Sequence, residues 1–148
     1  MVTIESTAFA NNDSIPKKYS REGRDVSPPL KWSGVPSETK SFALICEDPD
    51  APSSKPWVHW LLFNIPADRN GLGEGDSAGA IEGMNDFSER GYGGPMPPEG
   101  DGPHHYHFEL YALDSRIEIE PNATRDELHQ AMEPHILASG ELIGTYQR

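Results

Sequence analysis

The sequence predicts a mainly β domain with many shaped loops. Three observations carry this. Gly and Pro number 14 each in 148 residues, a composition that suits turns and disfavours a helical bundle, where each interior Pro costs about 3 kcal/mol. Three segments of strand formers, Ser41–Glu47, Trp57–Ile65 and His104–Leu113, are bounded by turn residues. A single segment shows helical spacing of its apolar residues.

The elements follow in order. Val2–Glu5 reads as a short opening strand. Asn11–Ser27 is polar and loop-like, and Pro28-Pro29 ends it. Leu30-Lys31-Trp32 is a short extended piece closed by Gly34 and Pro36. Ser41–Glu47 ends at Asp48-Pro49-Asp50-Ala51-Pro52. Trp57–Ile65 is apolar on both faces, the pattern of a central strand covered on each side. Gly71–Gly102 is rich in glycine, proline and acids and reads as one long irregular region, of a length usually kept for function. His104–Leu113 alternates again. Thr124 caps a helix, with Glu127 three residues on completing a capping box. Leu128, Ala131, Met132 and Ile136 continue the helical spacing, Pro134 kinks or splits it, and Gly140 suits its C-terminal end. Glu141–Tyr146 reads as a last strand or tail. No repeat or low-complexity linker divides the chain, so residues 1–148 are taken as one domain.

Composition excludes several functions. Asp and Glu total 24 against 12 Lys and Arg, a formal charge of −12. Such a surface repels polyanions, so no nucleic acid partner is expected, while one local anion site remains allowed. The single cysteine, Cys46, permits neither an intrachain disulfide nor a thiolate metal cluster. The N-terminus lacks a signal-peptide pattern. No apolar run reaches the roughly 18 residues of a membrane span. A cytoplasmic location without a transmembrane segment is the expectation. No G-x-S-x-G, Walker loop or dinucleotide fingerprint is present.

Strand alternation locates the candidate site. Phe42, Leu44, Cys46 and Asp48 share one face. Trp57, His59, Leu61, Phe63 and Ile65 share another, and His104, Tyr106, Phe108, Leu110 and Ala112 a third. Each apolar face carries a polar group near one end. If these strands are antiparallel neighbours, Asp48, His59, His104 and Tyr106 meet at the rim of the core. Asp48 then fixes a histidine tautomer and raises its pKa. An imidazolium, a phenol and backbone N–H groups suit an anion such as phosphate. Gly93 and Gly94 allow close approach of backbone to a ligand, and the following prolines fix the loop.

Four motifs occur together and in order: Asp48-Pro49-Asp50-Ala51-Pro52, Trp57-Val58-His59-Trp60, Gly91-Tyr92-Gly93-Gly94-Pro95 running to Pro97-Pro98, and Gly102-Pro103-His104-His105-Tyr106. With the tail Thr124–Tyr146, they resemble the phosphatidylethanolamine-binding protein family. The likeness is to its short bacterial and archaeal, Raf kinase inhibitor-like branch. The resemblance implies an antiparallel Greek-key β-sandwich with one or two short helices towards the C-terminus and a small pocket for phosphate, acetate or phosphorylated head groups. It assigns Asp48, His59, Pro97, Pro98, His104 and Tyr106 to the pocket, with Asp50, Pro52, Gly93 and Gly94 in support. It also makes Ala51–Pro52 a candidate cis peptide bond. Two positions depart from the family pattern. His105 stands where Arg is usual and faces away from His104 by alternation, and Pro134 stands where glycine is expected.

The function expected is a non-catalytic binding protein for a small anion or phosphorylated ligand, with no cofactor. Regulatory inhibition of a kinase or protease is implied by the resemblance, with the protein partner unknown, and a homodimer is expected from type. The alternative is a cupin-like metal-dependent enzyme using His105, His107 and Glu109, which alternate on one strand face. Exposed polarity on the face opposite His104 is the stronger explanation of those three.

Overall fold

The apolar runs become the middle of one sheet. A computed structural model describes residues 2–148. Its strands are β1 (Thr3–Glu5), β2 (Leu30–Ser33), β3 (Ser41–Asp48), β4 (Trp57–Pro66), β5 (Gly71–Leu72), β6 (Ile81–Glu82), β7 (His104–Leu113) and β8 (Ile136–Tyr146), with helix α1 (Arg125–Met132) between the last two. The larger sheet has the order β6-β4-β3-β7-β8, the smaller β1-β2-β5, and every pairing is antiparallel. Strands β3, β4 and β6 run side by side, and β7 returns to the far side of β3, which is a Greek key.

Both faces of the large sheet are covered, which is why β3 is buried along its whole length. On one face Phe42, Leu44, Cys46, Trp60, Leu62, Phe108 and Leu110 pack against Ile4, Leu30, Trp32 and Leu72 of the small sheet. On the other, Ala43, Ile45, Leu61, Phe63 and Leu113 pack against Leu128 and Met132 of α1 and against Ile117. Two sheets joined by an apolar layer form a β-sandwich.

Simple alternation fails in β4. The register with β3 slips twice, between the pairs Cys46–Trp60 and Glu47–Val58 and between Phe42–Ile65 and Leu44–Leu62. Each slip leaves an extra residue on β4, the definition of a β-bulge. The first takes up His59 and the second the stretch around Asn64. As a result Leu61 and Phe63 face the helix while Ile65 joins Trp60 and Leu62 in the layer between sheets. The expected shared face of Trp57, His59, Leu61, Phe63 and Ile65 is corrected accordingly. Asn64 holds a left-handed φ of 59°. Its amide donates to the Ile117 carbonyl (2.8 Å) and accepts from the Ile117 N–H (2.7 Å), so its position is fixed by both.

The helix starts where its cap predicts. The Thr124 hydroxyl accepts from the Glu127 N–H at 3.1 Å, and the Glu127 carboxylate accepts from the Thr124 N–H at 2.8 Å. Its end is earlier than the apolar spacing suggests. Pro134 lies in a 3-10 turn, Glu133–His135, and Ile136 already begins β8. Gly140 therefore caps no helix. It sits inside β8 because the Val2 carbonyl occupies the space a Cβ would need. The peptide before Pro52 is trans, as are all those described, which corrects the cis expectation.

Strand β8 is an outer strand of the large sheet, yet its free side is not bare. The Ile15 N–H donates to the Thr145 carbonyl (2.7 Å), the Thr145 N–H to the Asp13 carbonyl (2.9 Å) and the Asn12 N–H to the Ile143 carbonyl (2.6 Å). The Asn11 side chain accepts from the Ile143 N–H at 2.8 Å.

Candidate functional site: a polar-floored cavity at three strand ends

Because β3 runs antiparallel to both β4 and β7, its C-terminal end meets the starts of the other two. Asp48, His59, His104 and Tyr106 converge there and line a cavity of about 220 Å³. Its walls are apolar, from Pro52, Trp57, Phe87, Met96, Pro97 and Pro98. Buried polar groups at the floor of an apolar pocket are the usual form of a small-ligand site.

The two histidines differ in charge. The His104 ring is bonded at both nitrogens, Nδ1 to Asp48 (2.7 Å) and Nε2 to Asp101 (2.5 Å). Two ionised carboxylates as acceptors draw a proton onto both ring nitrogens, which favours the imidazolium. Burial works against that charge, but the bonds to Asp101 and Asp48 outweigh it and the pKa is raised. His59 is the reverse case. Burial lowers its pKa, and the bond to Gly93 and the nearby Asp48 only partly offset this. Its Nδ1–H donates to the Gly93 carbonyl at 2.7 Å, which leaves Nε2 as the unprotonated acceptor. Asp48 thus charges His104, not His59. The bulge explains the placement: the extra residue in β4 puts His59 on the same side as Trp57 and Trp60, edge-on to Tyr106 at 5.0 Å between ring centroids.

Burial, helped by Asp48, pushes the Tyr106 phenol well up, so it is an O–H donor at any ordinary pH. The Trp57 indole N–H is buried without a hydrogen-bond partner. The Trp60 indole N–H is likewise without a partner, and neither nitrogen is accessible from the cavity.

The supporting residues act behind the cavity. Asp50 accepts from the His105 N–H and from its Nδ1, both at 2.8 Å, and so ties the loop after β3 to the start of β7. Gly93 and Gly94 are needed for close approach, but to protein. A Cβ on Gly93 would lie 2.6 Å from the Phe87 ring, and one on Gly94 would strike the Tyr19 carbonyl. Sequence reasoning missed Phe87, Met96, Trp57 and Asp101. Phe87 is delivered by Asn85, a buried residue whose side chain accepts from the Phe87 and Glu89 N–H groups and donates to the Gly91 carbonyl. Nothing local in the sequence marks that loop. For Asp101 a signal existed: an acid three residues before His104, between two glycines with φ of 77° and 83°.

His105, His107 and Glu109 do not come together as ligands. His105 pairs with Asp50, His107 with Glu141 at 2.9 Å, and Glu109 accepts from the Tyr111 hydroxyl at 2.7 Å. Among the described residues no cluster of three His, Cys, Asp or Glu is placed to hold a metal. Carboxylates on the loop after β3 and on β8, and a phenol on β7, supply each side chain with its own partner.

A two-sheet antiparallel β-sandwich with a small cavity at the ends of its central strands defines the class of fold. The comparisons give that class a family. The model of the phosphatidylethanolamine-binding proteins matches residues 5–147, and the chain belongs to that family. It is 47% identical to a UPF0098 protein of Methanothermobacter thermautotrophicus over 99% of both chains. The structure superposes on a phosphatidylethanolamine-binding protein homologue from Chlamydia trachomatis with a TM-score of 0.93, at 43% identity over 99% of this chain and 97% of the other. It superposes on YbcL of E. coli, described as a member of the mammalian PEBP family, with a TM-score of 0.92 at 34% identity over 99% and 98%. Membership of this family overturns the cupin-like alternative. Among the described residues no helix is long and apolar enough to cross a membrane.

Proposed function

We propose that the protein binds a small anion, phosphate or a phosphorylated head group, in the cavity at the strand ends, and performs no chemistry on it. The observation that carries this reading is the convergence of His104, held charged, with Tyr106 and His59, whose Nε2 is left as an acceptor, on one 220 Å³ space. The cation and the Tyr106 O–H take the anionic oxygens, and His59 Nε2 accepts from a protonated oxygen of the ligand. Pro97, Pro98 and Trp57 exclude water and strengthen these contacts. Both nitrogens of His104 are engaged, so that ring is not set up as a mobile base activating a nucleophile.

The test is NMR of the six imidazoles during titration with inorganic phosphate at pH 6 and low salt. The signals of His59 and His104 are expected to shift together and saturate, and His104→Ala to abolish the shift at His59. If phosphate moves neither ring at tens of millimolar, the reading is wrong.

A further inference from the structure

Asp101 does not line the cavity itself, but it competes for the ring of His104, which does. Nδ1 of His104 is taken by Asp48, so Nε2–H is the one donor this imidazolium has left for a ligand. Asp101 Oδ2 holds it at 2.5 Å. The two carboxylates differ in setting. The Asp48 side chain is 4% exposed and built into β3, whereas that of Asp101 is 46% exposed and lies on a loop. Gly100 and Gly102 flank it, both at positive φ and both with open space where a Cβ would be. Its own N–H makes only a long 3.3 Å bond to the Pro98 carbonyl. The Gly100 N–H donates to the Arg148 carbonyl at 3.1 Å and Arg148 Nε to the Pro97 carbonyl at 2.6 Å, so it is the exposed Asp101 side chain, set between two glycines, that has to turn away.

We propose that Asp101 is a built-in competing anion, which must leave His104 before a ligand can bind and which selects phosphate and phosphate monoesters over simple carboxylates. This rests on the anion-pocket reading given above. The electrostatics require displacement. With Asp101 in place, one imidazolium faces two carboxylates and His59 is uncharged, so the site carries net negative charge and repels an incoming anion. The selectivity follows from tethering. A carboxylate held three residues from its partner has an effective concentration of roughly millimolar or more. Free acetate offers the same charge and the same hydrogen bond, and in addition loses translational freedom on binding. It cannot displace Asp101 at low concentration. A phosphate dianion brings a second charge and more acceptor oxygens, so it can engage His104 and Tyr106 at once and compete where a single carboxylate cannot.

The test is calorimetric titration of the full chain with inorganic phosphate and, separately, with sodium acetate, on the wild type, Asp101→Asn and Asp101→Ala. Thermal unfolding checks that each variant is folded. The wild type is expected to bind phosphate and to show no acetate binding at 10 mM. Both variants are expected to bind phosphate at least tenfold more tightly and to gain acetate binding. The His104 pKa, followed by NMR, is expected to fall in both variants. Phosphate affinity that is unchanged or weaker in the variants, with the wild type still binding through His104, overturns the role of Asp101 and leaves the pocket reading standing. Absence of binding in all three proteins overturns both.

Discussion

Replacing Glu109 with glutamine should stabilise the protein above pH 7 and flatten its response to pH. Glu109 lies on the helix-facing side of β7, diagonal to Glu47 of β3, which pairs through both oxygens with Arg125 at 3.1 Å. Burial and the adjacent Glu47 carboxylate push the Glu109 carboxyl from its ordinary 4.5 up to about 7, against the opposing pull of Tyr111 and Arg125. The folded protein therefore binds more protons than the unfolded chain between those two values, and stability falls as pH rises through that window. At 1.36 kcal/mol per tenfold, the upper bound is about 3.4 kcal/mol. The side chain is only half-buried, and solvent screening reduces this to about 1–2 kcal/mol. Glutamine keeps the acceptor for Tyr111 and donates to Glu47 without a charge. Urea unfolding followed by tryptophan fluorescence at pH 5, 6, 7 and 8 gives the difference curve. Glu109→Gln should gain about 1–2 kcal/mol over wild type between pH 5 and pH 8. A difference that is constant across this range would refute the reasoning, because His104 and His59 titrate in both proteins and cancel.

Two further outcomes follow from packing and burial. Gly140→Ala should lose about 1–3 kcal/mol, since its Cβ and the Val2 carbonyl cannot share the same space and β8 or the opening segment has to move; a melting temperature equal to wild type would contradict the close approach. Burial raises the Cys46 thiol well above its usual range. Ellman's reagent should therefore find no reactive thiol in the native protein and one per chain in denaturant.

How far the sequence could be read depends on how local each determinant is. The three long strands and the start of α1 are written locally, in runs of strand formers and in the Thr124–Glu127 pair, and they form where expected. The convergence of Asp48, His59, His104 and Tyr106 was also legible, because antiparallel pairing brings the end of one strand to the start of the next. What was not legible depends on long-range contacts. The bulge at His59 is created by the pairing of β4 with β3, and alternation alone assigns Leu61 and Phe63 to the wrong side. Ile136 fits a helical repeat, but its pairing with Leu113 makes it the first residue of β8. Gly140 looks like a helix stop until Val2 is seen across from it. The Phe87 wall depends on Asn85, a side chain substituting for backbone hydrogen bonds over a loop with no regular structure.

The segment Asn11–Ile15 satisfies backbone groups on the open side of β8, and at the opposite end of the sheet β6 is only two residues long. An uncovered strand of eleven residues would be a template on which another chain could add its own strand. The amino-terminal stretch therefore also protects against self-association. Truncations or bulky fusions that pull residues 11–15 away would trade a discrete protein for one prone to aggregate, and the net charge of −12 would be the remaining barrier between exposed edges.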